Sequence, residues 1–136
     1  MPSEFSLSVD LRLLAYSALL CLVLWIPYIL AAMRVRGLGR VAGYPTGDYQ
    51  DLPDWARRSH LAHLNLVENL VPFAALVLVA HLAGAANEAT ALGARLFFWA
   101  RVGQAVFHVA AVPWLRTVTF LASWAGSLII FWQIVY

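Results

Sequence analysis

Residues 13–33 read LLAYSALLCLVLWIPYILAAM, 21 positions without a formal charge. At about 1.5 Å per residue a helix of this length crosses a hydrocarbon core of about 30 Å. The run is too long for the core of a signal peptide, and no small-residue cleavage site follows it. Working outward, three more apolar stretches cover about residues 55–84, 90–112 and 114–136. The link GAANEAT and the very short AAVP leave room only for antiparallel neighbours. Asp51 or Asp54 is positioned to cap the second stretch, with Pro53 tolerated in its first turn. The expected fold class is all-α: an integral membrane four-helix bundle formed by a single domain over residues 1–136.

Composition agrees. With 62% hydrophobic and 12% charged residues in 136, the chain lacks the polar surface of a water-soluble domain. All nine Lys+Arg residues are arginine, and a net charge of +2 is too mild to suggest a nucleic-acid partner. The lone Cys21 rules out an intrachain disulfide and reads as a small apolar filler. His60 and His63 sit one turn apart, but four histidines in all make no multi-histidine set, so no metal is expected. No internal repeat or low-complexity tract is visible. Trp55, Trp114, Trp132 and Tyr136 read as interfacial anchors. Ala122 and Gly126 form a small-xxx-small pair that permits close helix contact.

Orientation follows from arginine placement. Arg34, Arg36, Arg40, Arg57 and Arg58 gather between the first two stretches, so that link faces the cytoplasm and both termini face away. The turn before Arg116 then lies on the same side. On a helical wheel Arg57, Arg58, Asn65, Glu68 and Asn69 fall within roughly a third of the circumference. Arg101, Gln104 and His108 make a second stripe at i, i+3, i+7. Charge facing lipid costs several kcal/mol, so both stripes are expected to face a bundle interior, a subunit interface or a wet cavity. Pro72 cannot bond the carbonyl of Glu68 and frees a backbone acceptor there. Pro27 does the same to Val23 with no polar side chain nearby, and its reading is structural.

HLNLVENLVPF (63–73) and RVGQAVFHVAAVPWLRTVTF (101–120) together resemble the MAPEG family, membrane-associated proteins in eicosanoid and glutathione metabolism. The resemblance extends over nearly the whole chain: four spans, an arginine-rich first loop, Asn-x-x-Glu before a proline, and an Arg-hydroxyl pair opening the last helix. It implies a homotrimer that binds glutathione as co-substrate between subunits on the cytoplasmic side. It also implies transfer or peroxidase chemistry on lipophilic electrophiles. By that likeness Asn65 and Glu68 contact glutathione, Arg34 or Arg36 meets its carboxylates, and Arg116 with Thr117 stands at the sulfur as the catalytic pair. Gln104 and His108 occupy positions where similar enzymes carry a histidine and a tyrosine, and they complete the expected binding set. A thiol with a free pKa near 8.5 needs such a cation to supply thiolate at neutral pH.

Leu61 and Leu64 stand where glutathione-using relatives carry arginines, and Phe120 replaces a tyrosine. These departures motivate a second reading, a non-catalytic lipid-binding or scaffold protein. A third is a small transporter using Glu68 as an intramembrane proton or cation site. The bland alternatives are that Glu68 pairs with Arg101 inside the bundle, and that Arg116 and Thr117 serve only as interfacial anchor and helix-start hydroxyl. A compact chain without an evident retention signal points to a bacterial inner membrane, in contact with membrane lipids.

Overall fold

The computed structural model describes residues 7–43 and 49–136; residues 1–6 and 44–48 of the expected domain lie outside the described residues. The described residues are helical, without a strand: α1 (Val9–Arg36), α2 (Leu38–Ala42), α3 (Asp54–Leu82), α4 (Glu88–Val109) and α5 (Pro113–Val135). Three of these, α1, α3 and α5, are long and apolar enough to cross a membrane. Helix α4 is of similar length at 22 residues, but Arg95, Arg101, Gln104 and His108 dilute its apolar content.

Local chemistry sets the helix ends. Ser8 caps α1 by accepting from the Leu11 amide at 3.4 Å. Gly37, at φ 85°, ends α1 in a conformation that glycine adopts without strain. The short α2 that follows was not anticipated; five residues carry no periodic signal. At the start of α3 the residue in the cap position is Pro53, which has no side-chain acceptor. Neither expected aspartate cap forms: Asp54 lies one residue inside the helix and pairs with Arg57, while Asp51 pairs with Arg36. Asn87 and Thr90 build a reciprocal capping box that opens α4. Pro113 opens α5, where a missing N–H costs nothing. Pro27 and Pro72 both lie inside continuous helices.

Packing is most extensive between α4 and α5, and α3 touches α1, α4 and α5. The reason for the α4–α5 closeness is visible at Gly93 and Gly126. A Cβ on either would come within 2.5 Å of the other's carbonyl oxygen, so only glycine at both positions allows this backbone approach. Beside them Phe73 and Phe97 stack with centroids 3.8 Å apart, surrounded by Leu66, Val77, Ala94 and Ile130. Gly126 of the small-xxx-small pair thus finds its partner on α4 of the same chain. A second, smaller cluster of Tyr28, Ala31, Ala32, Leu52 and Ala56 fastens α1 to the start of α3. Outside these contacts the long helices expose leucine, valine and tryptophan, as Leu22, Val71 and Trp114 do. An apolar surface this broad is stable against lipid or another protein, not against water.

Candidate functional site

The polar residues of α3, α4 and α5 converge on one side of the molecule. Asn65 from α3, Gln104 and His108 from α4, and Arg116, Thr117 and Phe120 from α5 line a cavity of about 280 Å³. Five of the residues singled out in the sequence are therefore neighbours in space. A second depression of about 330 Å³ adjoins it through His108 and Arg116 and adds Arg58, Leu61 and Pro113. A third, of about 420 Å³, shares Arg58 and Leu61 and reaches Tyr49, Asp54, Arg57 and His60. The three follow one another from the loop before α3 to Phe120 on α5.

Each side chain has a definite setting. Arg101 is 1% exposed, and its Nη2 donates to Asn65 Oδ1 at 2.5 Å. Its Nη1 reaches Ser123 Oγ at 3.4 Å, its guanidinium lies 6.0 Å from the Phe120 ring centre, and its Nε is buried without a partner. Gln104 Nε2 is 3.4 Å from His108 Nδ1, and both residues are buried. Arg58 donates from Nε to the Val109 carbonyl at 2.9 Å, tying α3 to the end of α4. Arg116 is exposed, and its guanidinium has no hydrogen-bond or ion-pair partner among the described residues. The Thr117 hydroxyl donates to the Pro113 carbonyl at 3.1 Å.

Three expected site residues do not reach this cavity. Glu68 is exposed on α3, one turn beyond Asn65, and has no partner among the described residues. The alternative pairing with Arg101 does not form; Arg101 is held by Asn65 and Ser123 instead. Arg34 is exposed at the end of α1. Arg36 makes a double hydrogen bond to Asp51, at 2.7 and 2.5 Å, and lies 5.1 Å from the Tyr49 ring centre. It lines none of the three depressions and meets the third only through Tyr49. The Arg36 hydrogen bonds hold the Asp51 carboxyl below the usual carboxylate range.

Reading by sequence missed Arg101 as a member of the site, although its i, i+3 spacing to Gln104 placed it on the same stripe. Ser123, which accepts from Arg101 and donates to the Phe120 carbonyl at 2.7 Å, carries no signal of its own. A further cluster joins α1 to α3: Tyr28 Oη is 2.7 Å from His63 Nδ1, and Cys21 Sγ is 3.8 Å from His63 Nε2. No group of three or more His, Cys, Asp or Glu side chains able to hold a metal ion occurs among the described residues.

Long apolar helices with exposed hydrophobic faces, and polar side chains collected at one end of α4, define an integral membrane protein. The MAPEG family model matches residues 13–136, nearly the whole chain. The chain belongs to the MAPEG family. No curated protein and no solved structure gave a significant match. Membership points to a membrane role in glutathione-related transfer or in eicosanoid metabolism.

Proposed function

We propose that the protein is a single-domain, four-span homotrimeric membrane bundle. In this reading it binds glutathione on the cytoplasmic side and acts as a glutathione-dependent transferase or peroxidase on lipophilic electrophiles. A bacterial inner membrane is its proposed location. The observation that carries the reading is the convergence of Asn65, Gln104, His108, Arg116 and Thr117 on one cavity.

Glutathione, when bound, supplies the thiol, and the chain supplies its setting. Arg116 is a cation without a hydrogen-bond or ion-pair partner among the described residues, so it is available to stabilise a thiolate as the S–H proton leaves. Thr117 assists only by turning its hydroxyl from Pro113 toward the sulfur, because its proton is otherwise committed. Buried Gln104 and His108 form the polar wall, and Asn65 offers its amide. The arginines at the loop end, Arg36, Arg57 and Arg58, with Arg34 nearby, suit the carboxylates of the tripeptide. Exposed Glu68 supports the trimer: a carboxylate on the outer face of an apolar helix requires a cover, and a second copy or a ligand held between copies provides one.

Leu61 favours the alternative of a non-catalytic lipid-binding or scaffold protein. It lines two of the three depressions and puts an isobutyl group where an anion-binding arginine would strengthen glutathione capture. Equilibrium binding of glutathione to the detergent-solubilised protein separates the two readings. Wild type is expected to bind, with Arg116→Ala and Glu68→Gln each weaker by about tenfold or more, as for loss of a charged hydrogen bond. A folded protein that binds lipid but no glutathione would establish the scaffold reading.

A further inference from the structure

Among the described residues Arg101 is the largest fully buried side chain, and no carboxylate among them pairs with it. The two ion pairs among the described residues use Arg36 and Arg57. A buried guanidinium carries five donor hydrogens and no acceptor. The Asn65 atom that faces Nη2 at 2.5 Å must therefore be the amide oxygen, since an amide nitrogen there would oppose donor to donor. The identity of an amide's two ends is ordinarily open, and here Arg101 decides it. Because Asn65 also lines the cavity, its Nδ2, with two N–H groups, is the end left for whatever the cavity holds.

We infer that Arg101 is a positioning residue: by occupying the oxygen of Asn65 it turns the amide nitrogen to the cavity, so that Asn65 and Arg116 together offer donors and select an acceptor group. A carboxylate, a peptide carbonyl or a thiolate fits; an ammonium or an amide N–H does not. The inference rests on the reading of this cavity as a ligand site, and extends it to a residue that touches no ligand. Ser123 and Phe120 steady the arrangement from α5. Ser123 accepts from Nη1 while its own proton goes to the Phe120 carbonyl, so it cannot compete as a donor for Asn65. The unpartnered Nε shows that the guanidinium has donor capacity that Asn65 does not fill.

Asn65→Asp is the decisive substitution. It gives Arg101 the carboxylate it lacks, and it replaces the donor in the cavity with an acceptor. Melting temperature and glutathione binding are measured on detergent-solubilised full-length protein for wild type, Asn65→Asp, Arg101→Met and the double variant. The expected result is that Asn65→Asp melts above wild type only while Arg101 is present, yet binds glutathione about tenfold or more weakly. Arg101→Met, folded but without the contact that fixes the Asn65 amide, is expected to bind glutathione more weakly than wild type, where a residue that merely supported the fold would leave the affinity of the folded variant unchanged. If Asn65→Asp lowers the melting temperature equally with and without Arg101, or binds glutathione as wild type does, the assignment is overturned. If wild type binds no glutathione, the glutathione reading falls, and the thermal cycle alone decides the role of Arg101. Should Arg101→Met fail to fold, Arg101→Lys replaces it; a single ammonium should return a smaller gain from Asn65→Asp.

Discussion

Helix α4 passes through two environments about eight residues apart, or about 12 Å along its axis. Near its start Gly93, Ala94 and Phe97 meet α5 and α3 at backbone contact and ring stacking. Near its end Arg101, Gln104 and His108 sit among side chains that leave three adjoining depressions. Small and aromatic residues close the first region; long polar residues prop the second open. The tight end sets helix spacing, and the polar end uses it.

Several substitutions should separate these roles. Phe73→Ala removes one ring of the stack and leaves a cavity at the centre of the tight region; a loss of about 3–5 kcal/mol is expected, read by denaturation in detergent. If Phe73→Ala loosened only the polar end, the division would be wrong. Gly93→Ala follows, at about 1–3 kcal/mol or more, because the clash is with the Gly126 carbonyl and not with a flexible side chain. Arg116→Ala should leave the melting temperature unchanged, since its guanidinium has no hydrogen-bond or ion-pair partner among the described residues, while lowering glutathione-dependent transfer by about tenfold or more. An unfolded Arg116→Ala would show that the cavity wall is structural.

The smallest effect belongs to Asp51. Its carboxyl titrates lower in the folded chain than in the unfolded one. Its contribution is therefore fully present above the unfolded value of about 3.9 and lost as pH falls through the lower folded value. The Asp51 side chain is 44% exposed, so screening keeps the contribution small. Asp51→Asn should lower the melting temperature slightly at neutral pH and flatten the acid limb of the melting profile, so that variant and wild type converge at low pH.

The long helices were legible because apolar runs of 20 or so residues have few other fates, and their boundaries because Pro113 and the Asn87 region carry end signals. The site was partly legible. Spacing alone put Gln104 and His108 on one stripe, and Asn65 on another. It did not tell that Arg101 would choose Asn65 over Glu68, because stripes give direction around an axis and not the reach or competition of long side chains. Nor did it reveal that Gly126 answers Gly93, which depends on where two helices cross.

The place of Arg101 also bears on how the chain enters a bilayer. An arginine near the middle of an inserting helix costs about 2.5–3.5 kcal/mol, and α4 lacks the apolar content of its neighbours. Its guanidinium donates to Asn65 from α3 and Ser123 from α5, one helix made before it and one made after. On the four-span reading, α4 is not a self-sufficient segment for the insertion machinery. It must wait at the interface until α5 emerges, and the α4–α5 hairpin then goes in as a unit against an α3 already in place.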